Sequence, residues 1–180
     1  MSRKSIIFFD GDGTIWYPKA TKRSKPPYWI YGNTNDDRVN RSSLNHLTLS
    51  HTSLKTLKAL KRKHIKLILL STHPHPPKIA DVILRMKMKH LNILDIFDGF
   101  YATNGSPKAK GIKIVSLLKK YKLPKSRALM VGDSYHYDYL SAKSVGVEAV
   151  LLRSDYLKRP ARGRRPKKIV NEIQDILKFI

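Results

Sequence analysis

The sequence predicts an α/β fold, a three-layer sandwich built on a central parallel five-stranded sheet. Three observations lead there. Short apolar, β-rich runs recur along the chain, and stretches with apolar residues at helical spacing lie between them. The resulting order of strand, helix, strand, helix calls for parallel pairing through right-handed crossovers. A length of 180 residues with 41% hydrophobic content is enough for one domain with a sizeable core. One domain over 1–180 is therefore expected, with a small insert at about 17–49 and a basic loop at about 153–168.

The first strand is the apolar run from Ser5 to Phe9, which reads as buried on both faces. Leu54, Leu57 and Leu60 then mark a helix, and Ile65 to Leu70 a second strand. Ile79, Val82, Ile83 and Met86 give the next helix its stripe, before a weaker strand at Gly99 to Ala102. Ile112, Val115, Leu118 and Tyr121 mark a third helix; Ala128 to Val131 is the fourth strand. A shorter helix over Tyr139 to Val145 stops at Gly146, and Glu148 to Leu152 is the fifth strand. Ile169, Ile173, Ile176 and Leu177 make a last amphipathic helix. Two regions break the rhythm. Residues 17–49 hold Pro18, Pro26, Pro27, Gly32 and four Asn, with Tyr28 to Tyr31 as a possible hairpin arm. Residues 153–168 hold eight Lys/Arg against one Asp and read as an exposed basic loop.

Composition narrows the function. No cysteine is present, which removes disulfides and thiolate metal sites. No apolar run approaches the ~20 residues of a membrane span, and Ile6 to Phe9 is too short for a signal peptide. A cytoplasmic location is the expectation. Lys and Arg number 36 against 13 Asp and Glu, a net charge of +23 that should attract polyanions, with nucleic acid or the ribosome as candidate partners. The scarce acids are concentrated: Asp10 and Asp12 share one short stretch, Asp133 and Asp138 another.

Phe8-Phe9-Asp10-Gly11-Asp12-Gly13-Thr14 carries the strongest chemical signal. Two carboxylates two residues apart leave a buried strand on a glycine-rich turn, where side chains at i and i+2 share a side and glycines admit a tight turn. Two acids this close repel unless a cation sits between them or one takes a proton. A calcium loop does not fit, since Thr14 stands at position five and no glutamate closes the loop.

This D-x-D-G-T after an apolar strand resembles the first motif of the haloacid dehalogenase superfamily. Ser71-Thr72, ending the second strand, is similar to its second motif; Lys110 resembles its third; Gly132-Asp133-Ser134 followed by Asp138 resembles its fourth. The resemblance implies a first strand at the sheet's centre, strands two and three on one side, four and five on the other. Ligands bind where such an order reverses. It further implies a phosphohydrolase in which Asp10, Asp133 and the Asp12 carbonyl hold Mg²⁺. Asp10 would attack phosphorus and Asp12 serve as acid and base. Ser71, Thr72 and Lys110 would bind the phosphoryl oxygens of a phosphorylated substrate, with Thr14 and Asp138 in support. Thr14-Ile15-Trp16 and the prolines after it are also similar to the nearly capless magnesium-dependent acid phosphatases, although the fourth motif here lacks their paired aspartates.

Other readings stay open on the residues alone. Ser71 could cap the following turn, Lys108 or Lys113 could replace Lys110, and Asp138 could complement a helix dipole. His73-Pro-His75-Pro reads as a loop with exposed imidazoles, and Tyr135, Tyr137 and Tyr139 as packing or rim residues. The short interval between Asp12 and Ser71 leaves room for a loop or hairpin and not a cap domain, so the site is expected to be open. A phosphatase for nucleic-acid ends and a basic RNA- or ribosome-binding scaffold are the alternatives.

Overall fold

The computed structural model of the protein describes residues 3–25, 44–155 and 166–180. Its centre is a six-stranded sheet in the order β5-β4-β1-β6-β7-β8. The strands are β1 (Ile6–Phe9), β4 (Lys66–Thr72), β5 (Gly99–Thr103), β6 (Ala128–Gly132), β7 (Glu148–Leu152) and β8 (Ile169–Val170). Every pairing in it is parallel. The five expected strands are all present in the expected order. β8 is an addition, pairing Leu151 with Ile169 and Leu152 with Val170.

Alternation along the strands builds the two outer layers. Ile7 and Phe9 face one side, with Leu67, Leu69, Leu129 and Val131. Against them pack α1 (Ser53–Arg62), α2 (Pro77–His90) and a C-terminal 3₁₀ segment (Ile173–Phe179). Ile6 and Phe8 face the other side, with Ile68, Leu70 and Met130. There α3 (Ala109–Lys120), a π-helical turn (Tyr135–Leu140) and the short α4 (Ser141–Ser144) close the core. Because both faces are covered, the strands carry continuous apolar runs, which is why they were legible.

The structure corrects several expectations. Ile169 belongs to β8 and not to a helix; the terminal helical segment starts only at Ile173. The helix expected over Tyr139 to Val145 begins earlier, as the π-helical turn, and Gly146 ends it at φ +78°. The buried stripe of α2 is Ala80, Ile83, Leu84, Lys87 and Met88, with Val82 left 54% exposed. That of α3 is Lys110, Gly111, Ile114, Leu117 and Leu118, with Ile112 66% exposed. Both stripes are turned from the expected ones because each contains a lysine that apolar periodicity assigns to solvent.

Beside the sheet, β2 (Trp16–Pro18) and β3 (Leu47–Leu49) form a two-stranded antiparallel ribbon. Ser50 fastens it to the turn after β1: its N–H donates to the Ile15 carbonyl (2.8 Å) and its hydroxyl to the Thr14 carbonyl (2.6 Å). The hairpin arm expected at Tyr28 to Tyr31, and most of the basic loop, lie outside the described residues. Lys167 and Lys168 at the end of that loop are described, and Lys168 is ion-paired with Glu148.

Candidate active site

The sheet order reverses between β4 and β6 on either side of β1, so the carboxyl ends of β1 and β6 open onto one crevice. Phe9 pairs with Val131, and the Asp10 N–H donates to the Val131 carbonyl at 2.9 Å. Asp10 and Asp133 therefore leave adjacent strands side by side. The turn that follows Asp10 is tight: the amides of Thr14, Ile15 and Trp16 all donate to the Gly11 carbonyl at 2.9–3.2 Å. Gly13 has φ +83°, and a Cβ there would lie 2.3 Å from Asp133 Oδ2. Only glycine lets the first turn cross over the Asp133 carboxylate of the fourth motif. Thr14 Oγ1 donates to Asp133 Oδ1 at 3.3 Å, a second tie between the two segments.

Asp138 completes the cluster. It lies in the first turn of the π-helical segment, where its Oδ2 accepts from the Ser134 N–H at 2.9 Å. The dipole-complementing geometry is therefore present, but it is only half of the residue's surroundings. A Cβ on Gly132 would fall 2.2 Å from the Asp138 carboxyl, so this glycine lets Asp138 fold back over the end of β6. Carboxylate oxygens of Asp10, Asp133 and Asp138 all lie within 4.8 Å of one another, and all three residues are buried.

Lys110 enters from the first turn of α3. It is 2% exposed, and its Nζ donates to Asp10 Oδ1 and Asp138 Oδ1, each at 2.5 Å. This separates it from its neighbours: Lys113 lies over the Tyr101 ring at 4.3 Å, and Lys108 is exposed at the helix start. Burial pushes the Asp10 carboxyl well above the ordinary carboxylate range; Lys110 pulls it down, and Asp138 and Asp133 add to the rise. Burial also disfavours the Lys110 ammonium, but Asp10 and Asp138 outweigh it and hold its pKa above the usual lysine value. Both shifts have one origin. Three buried acids share one site with one ammonium, leaving a surplus of negative charge that such a site does not tolerate uncompensated. Three hard oxygen donors at this spacing are the donor set of a divalent cation site.

Asp12 is placed differently from its sequence neighbour. Its carboxylate is held by Lys87 of α2, with Nζ at 2.7 Å from Oδ1 and 2.9 Å from Oδ2. Lys87 is fully buried, and its ammonium also lies 5.7 Å from the centre of the Trp16 ring. Sequence reasoning missed this lysine. The signal was there, since Lys87 continues the series Ala80, Ile83, Leu84 at spacings of three and four. Asp12 thus contributes no side-chain oxygen to the carboxylate cluster, and Asp138 does.

Ser71 and Thr72 close β4, alongside Ala102 and Thr103 of β5. Ser71 is buried within the strand and is not the cap of α2, which is preceded by Pro76. The Thr72 hydroxyl is buried with no hydrogen-bond partner among the described residues. His73 is 1% exposed, which corrects the expected exposed loop. Its Nδ1 accepts from the His75 N–H at 3.3 Å. Burial, with Lys87 and His75 adding and Asp12 opposing, lowers its pKa to about 4. Tyr135 and Tyr139 are buried and stacked at 5.8 Å, so they pack; Tyr137 and His136 are exposed on the rim.

Comparison with known proteins finds the same fold in several solved structures. The chain superimposes over 99% of its length on 99% of a predicted phosphoglycolate phosphatase from Haemophilus somnus, with TM-score 0.69 and 19% identity. A haloacid dehalogenase-like family protein from Streptococcus pneumoniae gives TM-score 0.67 at 18% identity, covering 99% of each chain. A HAD-superfamily hydrolase of subfamily IA from Geobacter sulfurreducens gives 0.68 at 15% identity, covering 99% of this chain and 100% of its own. These likenesses concern the fold. A search of the curated proteins finds no match. No helix among the described residues is long and apolar enough to cross a membrane. The family profile of haloacid dehalogenase-like hydrolases matches residues 19–146, a span that holds Ser71, Lys110, Asp133 and Asp138 and begins after Asp10. With more than two thirds of the sequence matched and the acid cluster at the expected strand ends, the chain belongs to the haloacid dehalogenase-like hydrolases.

Proposed function

We propose that the protein hydrolyses phosphate monoesters with Asp10 as the nucleophile and Mg²⁺ as the cofactor. The observation that carries this reading is the convergence of Asp10, Asp133 and Asp138 at the switch point of the sheet, with the Lys110 ammonium bonded to Asp10 and Asp138. Asp10, Asp133 and the Asp12 carbonyl would hold the ion. When bound, it would supply the positive charge that lets an anionic carboxylate approach an anionic phosphoryl group.

The chain's own residues supply the rest. Lys110 keeps Asp10 oriented and offsets charge on the transferring group. An Asp10 oxygen attacks phosphorus, the ester P–O bond breaks, and an aspartyl-phosphate forms. Asp12 gives a proton to the departing alkoxide and later removes one from the attacking water, whose oxygen releases phosphate and regenerates Asp10. To reach the leaving oxygen, Asp12 exchanges its contact with Lys87 for one with substrate. Ser71 and Thr72 at the end of β4 donate to phosphoryl oxygens; their place at the carboxyl end of the strand beside β1 supports this.

A panel of phosphate monoesters, assayed with and without Mg²⁺ in the wild type and Asp10→Asn, tests the reading. Metal-dependent phosphate release by the wild type alone supports it, and equal rates for both proteins reject the nucleophile. The charge of +23 favours a second reading for the substrate, a phosphate at the end of a nucleic acid. Release from a 3′-phosphorylated oligonucleotide supports that reading. Turnover of free sugar phosphates with none from the oligonucleotide removes it.

A further inference from the structure

At the amino-terminal edge of the sheet, away from the carboxylate cluster, lies a concavity of about 390 Å³ lined by Lys4, Lys125, Lys143, Lys167 and Lys168 around one acid, Glu148. The fold assembles it from distant segments. Lys4 precedes β1, Lys125 precedes β6, Lys143 lies on α4, and Lys167 and Lys168 lead into β8. The buried Tyr139 forms part of its wall, and its hydroxyl accepts from the Lys167 N–H at 3.1 Å.

The charge within it is unevenly matched. Glu148 is ion-paired with Lys4, at 2.5 Å, and with Lys168. Burial raises the Glu148 pKa, but the bonds from Lys168 and Lys4 outweigh it and hold the carboxyl below its usual range, so it stays ionised. Lys4 is 5% exposed and also donates to the Ser126 carbonyl at 2.8 Å, which makes it a fixed part of the wall. One acid therefore neutralises part of two lysines. Lys125, Lys143 and Lys167 have no carboxylate partner among the described residues. Lysines gathered from separate segments around one hollow repel each other, and a concave low-dielectric wall concentrates their field. An anion of several charges relieves this. Its volume lies in the range of small-molecule sites, roughly 300–1,000 Å³.

We propose that this concavity is a second anion site, which takes an oligophosphate group, either free or as successive phosphates of a nucleic-acid strand. It is separate from the proposed reaction. Lys4 stands six residues before Asp10 along β1, roughly 20 Å at the rise of an extended strand. Filling the site leaves the carboxylate cluster open, and the inference stands whether or not the chain is a phosphatase.

The test titrates the full-length protein, with no divalent metal added, with tripolyphosphate and separately with single-stranded RNA. Three proteins are compared: wild type, Lys125→Ala/Lys143→Ala/Lys167→Ala, and a charge-matched control in which the exposed Lys55, Lys58 and Lys119 become Ala. The expected result is saturable binding by the wild type, weakened about tenfold or more by the pocket variant and under about twofold by the control. If tripolyphosphate alone responds in this way, the ligand is a free oligophosphate; if RNA responds as well, it is a strand backbone. Equal weakening by both triple variants would mean diffuse surface attraction and overturns the site, as does the absence of saturable binding by either ligand. Circular dichroism establishes that each variant is folded, and phosphatase activity in the pocket variant is expected to be unchanged.

Discussion

Replacing Lys87 by Met tests how the site is held together. Met keeps most of the side-chain volume and removes the ammonium. The lysine is 0% exposed and contacts both oxygens of Asp12, whose own side chain is 8% exposed. Breaking a buried pair by removing one partner leaves the other charge uncompensated, at a cost of about 3–5 kcal/mol. For a chain of this length each kcal/mol lowers the melting temperature by about 2–4 °C, so the expected drop is roughly 6–20 °C. Thermal unfolding at neutral pH, followed by circular dichroism, reads it. A second substitution separates charge from packing. Asp12→Asn in the Lys87→Met background removes the stranded carboxylate and should recover most of the lost stability, leaving a deficit near ~1 kcal/mol from an imperfect amide fit. A single variant as stable as the wild type would contradict the buried pair. A double variant no more stable than the single would assign the loss to packing and refute the electrostatic argument.

Other outcomes follow from the same geometry. Gly13→Ala places a methyl against Asp133 and forces an L-residue to φ +83°; a cost of at least about 1–3 kcal/mol is expected in urea unfolding. Mg²⁺ at a hundred times its dissociation constant should stabilise the wild type by about 2.7 kcal/mol, roughly 5–11 °C, and Asp133→Asn should abolish the shift in the same melting assay. Asp98 accepts bonds from Lys61 and from the Leu67 N–H, both at 2.8 Å. Burial raises its pKa, but these two outweigh it, so the folded value is depressed. Its contribution to stability is then present above the unfolded pKa of about 3.9 and lost as pH falls through the folded value. Asp98→Asn should be less stable than the wild type at neutral pH, with the gap closing in acid-range unfolding curves.

The sheet was legible in the sequence because parallel strands covered on both faces must be apolar along their whole length. Ile6 to Phe9 and Ala128 to Val131 could hardly be read otherwise. β8 was not legible, since two residues carry no period and Ile169 fell in phase with Ile173 and Ile176. Among the site residues, Asp10, Asp133 and Lys110 were found from short motifs at strand and helix ends, and the structure brings them together. Lys87 was missed for a physical reason. A rule that sorts lysines to solvent fails wherever a carboxylate waits inside, and nothing local to Lys87 reveals Asp12, 75 residues away in sequence. The same rule turned the expected faces of both α2 and α3. His73 was misread in the same way, because a His-Pro repeat looks like exposed loop while its first histidine is buried. The basic concavity was invisible along the chain, for its lysines come from four separate segments.

The central claim is that Asp10 attacks phosphorus, and the most direct measurement is acid-quenched turnover of a rapidly cleaved monoester followed by peptide mass spectrometry. The account predicts a transient phosphoryl adduct on the peptide carrying Asp10, requiring Mg²⁺ and missing from Asp10→Asn. Steady phosphate release with no adduct at any time, or an adduct on another residue, would contradict it.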